Sequence, residues 1–168
     1  MLLPLEYVPS LRGEMDFGKQ PIRQATRADL RAVEDIVRAA YGIYISRIGR
    51  EPGPMLDDYA ALIADGRVFV AEMDGVTQGI LVLIAQDDAM MLDNIAVAPG
   101  AQGQGLGRRM LAFAEHTALK AGYSAIKLYT NEAMTENIAL YVRTGYFETH
   151  RAVEKGLRRV YMRKRLVP

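Results

Sequence analysis

Hydrophobic residues recur at helical spacing at Leu30, Val33, Ile36, Val37 and Ala40, and the period breaks at Gly42. This predicts an amphipathic helix, which Thr26-Arg27-Ala28-Asp29 can start with a side-chain oxygen and an acidic first turn. Ile22 to Thr26 before it reads as a short strand. Gly49, Pro52, Gly53 and Pro54 make the following stretch a loop, and Met55 to Asp65 reads as a second, shorter helix. Arg67 to Met73 and Val76 to Ala85 then read as strands about an Asp74-Gly75 hairpin turn. Met90 to Val97 is a third strand, ending at Pro99. Leu106 to Gly122 predicts a long helix whose apolar stripe is Leu106, Met110, Phe113, Thr117 and Ala121, closed by Gly122. Ala125 to Thr130 follows as a strand and Thr135 to Thr144 as a helix stopped by Gly145. Tyr146 to Glu154 and Leu157 to Leu166 pair about Lys155-Gly156. The expected order is β-α-α-β-β-β-α-β-α-β-β.

Residues 1 to 20 carry no sustained period and are expected to form an N-terminal arm, with one domain over residues 21 to 168. The Met1 to Gln20 stretch has Pro4 and Glu6 within its leucines and no basic residues before them, so a signal peptide is not expected. The longest apolar run, Gly79 to Ala85, is too short to span a bilayer. A soluble cytoplasmic protein that engages no membrane is the expectation.

Composition narrows the chemistry further. With 50% hydrophobic and 24% charged residues, the chain falls in the ordinary globular class. It contains no cysteine, which excludes disulfides, thiolate metal sites and thioester enzyme intermediates. Two histidines, His116 and His150, are too few for a His-rich metal site, and no metal is expected; they read as a solvated helix position and a hairpin position. Lys and Arg total 21 against 20 Asp and Glu, a formal charge of +1. The basic residues concentrate at the C-terminus, where Arg151, Lys155, Arg158, Arg159, Arg163, Lys164 and Arg165 face only Glu154. Nucleic-acid binding is not expected from this, because the excess does not extend over the domain.

The sharpest local feature is Gln102-Gly103-Gln104-Gly105-Leu106-Gly107, between a strand ending at Val97 and a helix starting at Leu106. Glycines let backbone N–H groups approach a ligand closely, and a helix N-terminus with unpaired donors favours phosphate, with Arg108 and Arg109 adding cations. Two other phosphate loops fail here. Gly100 to Gly105 has the outer Walker glycines, but Leu106-Gly107 replaces Lys-Ser/Thr. The dinucleotide fingerprint has Arg108 or Met110 where its third glycine belongs.

The segment from Leu92 to Gly107 resembles the acetyl-CoA-binding segment of GCN5-related N-acetyltransferases (GNAT). Gln102, Gly105 and Gly107 meet its Gln/Arg-x-x-Gly-x-Gly/Ala signature, and Val97 and Pro99 stand in their usual places. Asn131 to Tyr146 resembles a second family segment, Asn, three residues, Tyr, then Gly-Tyr, through Asn137, Tyr141, Gly145 and Tyr146. The resemblance covers roughly residues 21 to 166.

This resemblance implies an α/β (α+β) fold: a mixed central sheet, flanked by helices, whose splayed strand pair forms an acetyl-CoA cleft. It implies that the exposed backbone of Ile95, Ala96 and Val97, through a β-bulge, pairs with pantetheine. Gln102, Gly103, Gln104, Gly105, Leu106, Gly107 and Arg108 would hold the pyrophosphate, and Asn137 the pantetheine or the substrate. Tyr141, one turn beyond Asn137 on the same face, takes the position of the general acid; read without the family, it is a core aromatic. Asp93 is the candidate base, or else a solvated strand carboxylate. A base or relay is needed because deprotonating a lysine-like amine near pH 7 costs roughly 4.6 kcal/mol. Tyr41, Tyr44, Arg47 and Asn94 are the candidate substrate residues, from the variable region after the first helix and the splayed strand. The same aromatics could instead pack the helix on the sheet. The implied reaction is acetyl transfer from acetyl-CoA to a primary amine of a small molecule, by direct attack in a ternary complex. A protein or peptide acceptor and a non-catalytic acyl-CoA sensor are the alternatives. Homodimers are common among relatives.

Overall fold

The computed structural model describes residues 21–168; the expected N-terminal arm lies outside them. Seven strands form one sheet in the order β1-β2-β3-β4-β5-β7-β6. They are β1 Ile22–Gln24, β2 Val68–Met73, β3 Val76–Ala85, β4 Met90–Val97, β5 Ala125–Asn131, β6 Phe147–Glu154 and β7 Leu157–Arg165. Only β4 and β5 pair in parallel, which makes the sheet mixed, as the sequence led one to expect. The helices are α1 Leu30–Tyr41, α2 Ile45–Ile48, α3 Tyr59–Ala64, α4 Leu106–Lys120 and α5 Thr135–Arg143.

Strand alternation builds two apolar layers. Val68, Val70, Ile80, Val82 and Ala96 meet α1 and α3 through Val33, Val37, Tyr59 and Ile63. Phe69, Ala71, Leu81, Leu83 and Leu92 turn to the other face and meet Leu106, Met110 and Ala114 of α4. A sheet covered on both faces explains why β3 reads as a nearly continuous apolar run. Gly79 has a packing reason: a Cβ there would stand 2.6 Å from Met110 Sδ, so glycine lets α4 approach the sheet.

The expected elements need three corrections. The helix predicted over Met55 to Asp65 is a 3-10 turn, Gly53–Leu56, followed by α3. Asp58 restarts it, its carboxylate accepting from the Ala61 N–H at 3.0 Å, so the cap sits three residues inside the expected boundary. The loop after α1 contains the short helix α2, closed by Gly49 at φ 83°. His116 is not a solvated helix position: its Nε2 is buried and, among the described residues, has no hydrogen-bond partner. The basic C-terminal residues meet carboxylates from elsewhere in the chain, Arg163 with Asp88 and Lys164 with Glu115 at 2.9 Å each. Arg158 meets Glu132 at 3.3 Å.

Asp29 ties β1 to α1. Its carboxylate accepts from the Thr26 N–H at 2.8 Å and from both terminal nitrogens of Arg23 at 2.8 and 2.9 Å. The guanidinium first, and the Thr26 N–H after it, hold this acid at about 2 against an ordinary 3.8, with burial opposing. A lowered native value contributes stability that is complete above the unfolded value and is lost as pH falls through the native one. Asp29→Asn is therefore expected to be about 2 kcal/mol less stable than the parent near neutrality. The two should converge towards pH 2, which urea unfolding at stepped pH measures.

Candidate active site

The site begins with one extra residue in β4. Val82 of β3 pairs with Asn94 but Leu83 pairs with Leu92, so Asp93 is bulged out of the ladder. In a regular strand Leu92 and Asn94 would share a face. Here Leu92 joins the α4 layer, whereas Asn94 turns under α1. The bulge also parts β4 from β5, since their pairing stops at Leu92↔Leu128. Among the described residues, the backbone from Asp93 to Val97 consequently has no strand neighbour on that side.

Two of its carbonyls are met by side chains. Tyr41 shares its one hydroxyl proton between the Ile95 carbonyl at 3.0 Å and the Asn94 side-chain oxygen, and Gln102 Nε2 donates to the Val97 carbonyl at 3.2 Å. Each carbonyl keeps a second lone pair for a further donor. Ala96 is buried towards α1.

Past β4, the 3-10 turn Pro99–Ala101 leads into the glycine turn and α4. Gly103 and Gly105 stand at φ 78° and 83°, left-handed conformations that cost another residue roughly 1–2 kcal/mol. A Cβ at either would meet nothing within 4 Å: the demand is conformational, and the space in front of the turn is open. Gln104 Nε2 braces the turn on the Gly100 carbonyl at 3.3 Å. Arg109 N–H reaches the Gly105 carbonyl at 3.2 Å. Among the described residues, the N–H groups from Gly103 to Arg108 make no backbone bond. This leaves a row of donors at the N-terminus of a fifteen-residue helix, a fit to a pyrophosphate. Arg108 is exposed there.

Beside the splayed strands lies a cleft enclosing roughly 560 Å³, its open mouth included. Asp93, Asn94, Ile95 and Tyr41 line one wall, Asn137 and Tyr141 of α5 another, and Pro52, Gly53 and Pro54 the rim. The structure therefore brings Tyr141, Asp93, Asn137 and Ile95 together around one cleft. Tyr141 is buried, its ring edge-on to Tyr146 at 5.8 Å. Burial raises its phenol above the ordinary 10.0, with Tyr44 adding to the effect, so the proton stays on oxygen across the physiological range. Among the described residues its hydroxyl makes no hydrogen bond. Burial also raises Asp93, although the Tyr129 hydroxyl, donating to Oδ1 at 3.3 Å, and the charges of Arg159 and Arg67 pull it back.

Asn94 and Tyr41 line the cleft but are committed elsewhere. The Asn94 carbonyl oxygen accepts from Tyr41, and its Nδ2 donates to the Tyr59 hydroxyl at 2.9 Å. Tyr59 in turn donates to the Pro54 carbonyl. This buried network fixes the bulge, α1 and the rim to one another. Tyr44 and Arg47 do not line the cleft. Arg47 lies over the Tyr44 ring at 5.2 Å and pairs with Glu136 at 2.9 Å. Sequence reasoning missed Tyr129 and Arg159, which come from β5 and β7; the guanidinium lies 4.2 Å from the Tyr129 centroid.

The acetyltransferase (GNAT) family model matches residues 30–146. Solved structures share the fold at low identity. The ribosomal-protein-S18-alanine N-acetyltransferase from Escherichia coli is 22% identical, with a TM-score of 0.72 over 89% of this chain and 95% of that one. The PaiA N-acetyltransferase from Thermoplasma acidophilum, in complex with coenzyme A, is 16% identical, with a TM-score of 0.73 over 88% and 99%. A GNAT family acetyltransferase from Elizabethkingia anophelis with acetyl-CoA bound is 19% identical, with a TM-score of 0.66 over 88% and 98%. No curated protein matches the chain.

Proposed function

The chain belongs to the GNAT acetyltransferase family, and from that premise we propose that it transfers the acetyl group of acetyl-CoA to a primary amine of a small molecule, the amine attacking directly. The observation that carries this reading is the continuous path from a bulged, splayed strand to an open row of N–H donors, beside a cleft holding both a carboxylate and a protonated phenol.

The N–H groups from Gly103 to Arg108 fit the pyrophosphate, and the free side of β4 fits an extended amide-bearing arm. When bound, acetyl-CoA supplies an acetyl group on an activated thioester. Asp93 attracts the substrate ammonium and accepts its proton; a carboxyl raised by burial is a stronger base for this than an exposed one. Tyr141 holds a proton at the cleft wall, where a departing thiolate needs one. Asn137, one helical turn before it, orients polar groups of the ligand. The chain's lack of cysteine agrees with direct attack.

The phosphate-binding part is tested by Gly105→Ala. Forcing a Cβ into the left-handed region costs roughly 1–2 kcal/mol, so acetyl-CoA affinity by isothermal titration is expected to fall about tenfold, with little change in kcat. Unchanged affinity would remove the turn from the binding site.

A further inference from the structure

Among the described residues, Asp93 and Arg159 are the two charged side chains lining the cleft. The arginines of the variable region are occupied elsewhere: Arg47 pairs with Glu136, and Arg50 Nη1 donates to the Lys155 carbonyl at 2.7 Å. Arg159 is held in place from two sides. Its guanidinium lies 4.2 Å from the Tyr129 ring centroid, and Nη1 donates to Glu154 at 2.6 Å. Its side chain is 15% exposed, that of Glu154 43%. Nη2 stands 3.9 Å from where a Cβ on Gly53 would be, at the rim of the cleft. Tyr129 joins the two charges, its ring beneath the guanidinium and its hydroxyl on Asp93.

We propose that Arg159 binds a carboxylate of the acceptor, so that the substrate is an amino acid or a similar small molecule bearing a primary amine and a carboxylate. This rests on the acetyltransferase reading of the same cleft. Its ammonium would face Asp93 while its carboxylate meets Arg159. A guanidinium presents five donors in a planar fork matched to a carboxylate. Contacts to Glu154 and to the Tyr161 hydroxyl occupy part of that fork and leave the remaining donors for a ligand. Glu154 is 43% exposed and also accepts from the Tyr161 hydroxyl, so a ligand carboxylate would share the Arg159 fork with it. An amine without the carboxylate would leave the partly buried cation with only Glu154 and Tyr161. A peptide N-terminus likewise has a neutral amide where the free amino acid has its α-carboxylate.

The test uses the full chain loaded with coenzyme A, so that no acetyl group is consumed, and titrates L-amino acids against their primary amides. Acids are expected to bind about tenfold or more tightly than their amides, the effect of losing a charged hydrogen-bond acceptor. Arg159→Gln is expected to abolish that preference. Glu154→Gln, which frees the fork, is expected to strengthen acid binding and guards against an Arg159 variant that fails to fold. Equal binding of acids and amides, no binding of any acid, a preference that survives in Arg159→Gln, or unchanged or weaker acid binding by Glu154→Gln would each overturn the proposal. A parallel acetyl-CoA turnover assay separates the two readings. Acetylation that ignores the carboxylate defeats the anchor alone, and selective binding without acetylation defeats the enzyme reading alone.

Discussion

Tyr141→Phe is expected to lower kcat by about 10²-fold or more, the usual contribution of a positioned proton donor, while acetyl-CoA affinity stays within about twofold. The separation follows from what the substitution removes. The ring packs edge-on to Tyr146 and is buried, and Phe keeps that packing. The hydroxyl makes no hydrogen bond among the described residues, so its loss leaves no buried partner unsatisfied and stability changes by less than about 1 kcal/mol. Because burial raises the phenol above its ordinary value, it stays protonated near neutrality and acts as a donor at every working pH. Stopped-flow or steady-state turnover, paired with titration of acetyl-CoA, reads both quantities. A kcat within a few-fold of the parent would return Tyr141 to the role of a core aromatic.

Asp93→Asn has the second large effect, about 10²-fold or more in kcat/KM near neutral pH, and its pH dependence identifies the cause. With Asp93 as the base the parent requires the carboxylate, so its rate is expected to fall as pH drops through the Asp93 value, which burial places above the ordinary 3.8. Tyr129 and the charges of Arg159 and Arg67 moderate that rise, and neighbouring Asp57 feels the Asp93 charge in return. Asparagine cannot take the proton, so the variant uses only amine already neutral in solution. Its rate should climb about tenfold per pH unit towards the amine value near 10, and the deficit should shrink with it. Parallel profiles for parent and variant would show that Asp93 is not the base.

The parts of this site legible in the sequence are those encoded locally. Gly103 and Gly105 mark the turn because their positive φ values are open to glycine and costly to other residues. Asn137 and Tyr141 share a helix face by spacing alone, and both reach the cleft. What was not legible depends on which strands become neighbours. Arg159 looked like one member of a solvated basic strand until the β5–β7 pairing set Tyr129 opposite Tyr161 and brought the guanidinium over the phenol. Tyr44 and Arg47 fit a substrate region on composition, but the 3-10 turn Gly42–Tyr44 alters the helical phase after α1. Arg47 is thereby directed to Glu136 rather than into the cleft. Asn94 lay on the right strand, yet the bulge at Asp93 turned its amide to Tyr41 and Tyr59. A one-residue register change decides which of two adjacent polar side chains meets a ligand, and periodicity alone does not fix it.

Acetyl transfer to a small amine is tested by incubating the purified chain with acetyl-CoA and a panel of amino acids, simple amines and peptides, and quantifying acetylated product by mass spectrometry. Saturable formation of an N-acetylated small molecule is expected, in step with release of coenzyme A. Absence of acetylated product across the panel, or acetylation confined to the peptides, would overturn the proposed reaction.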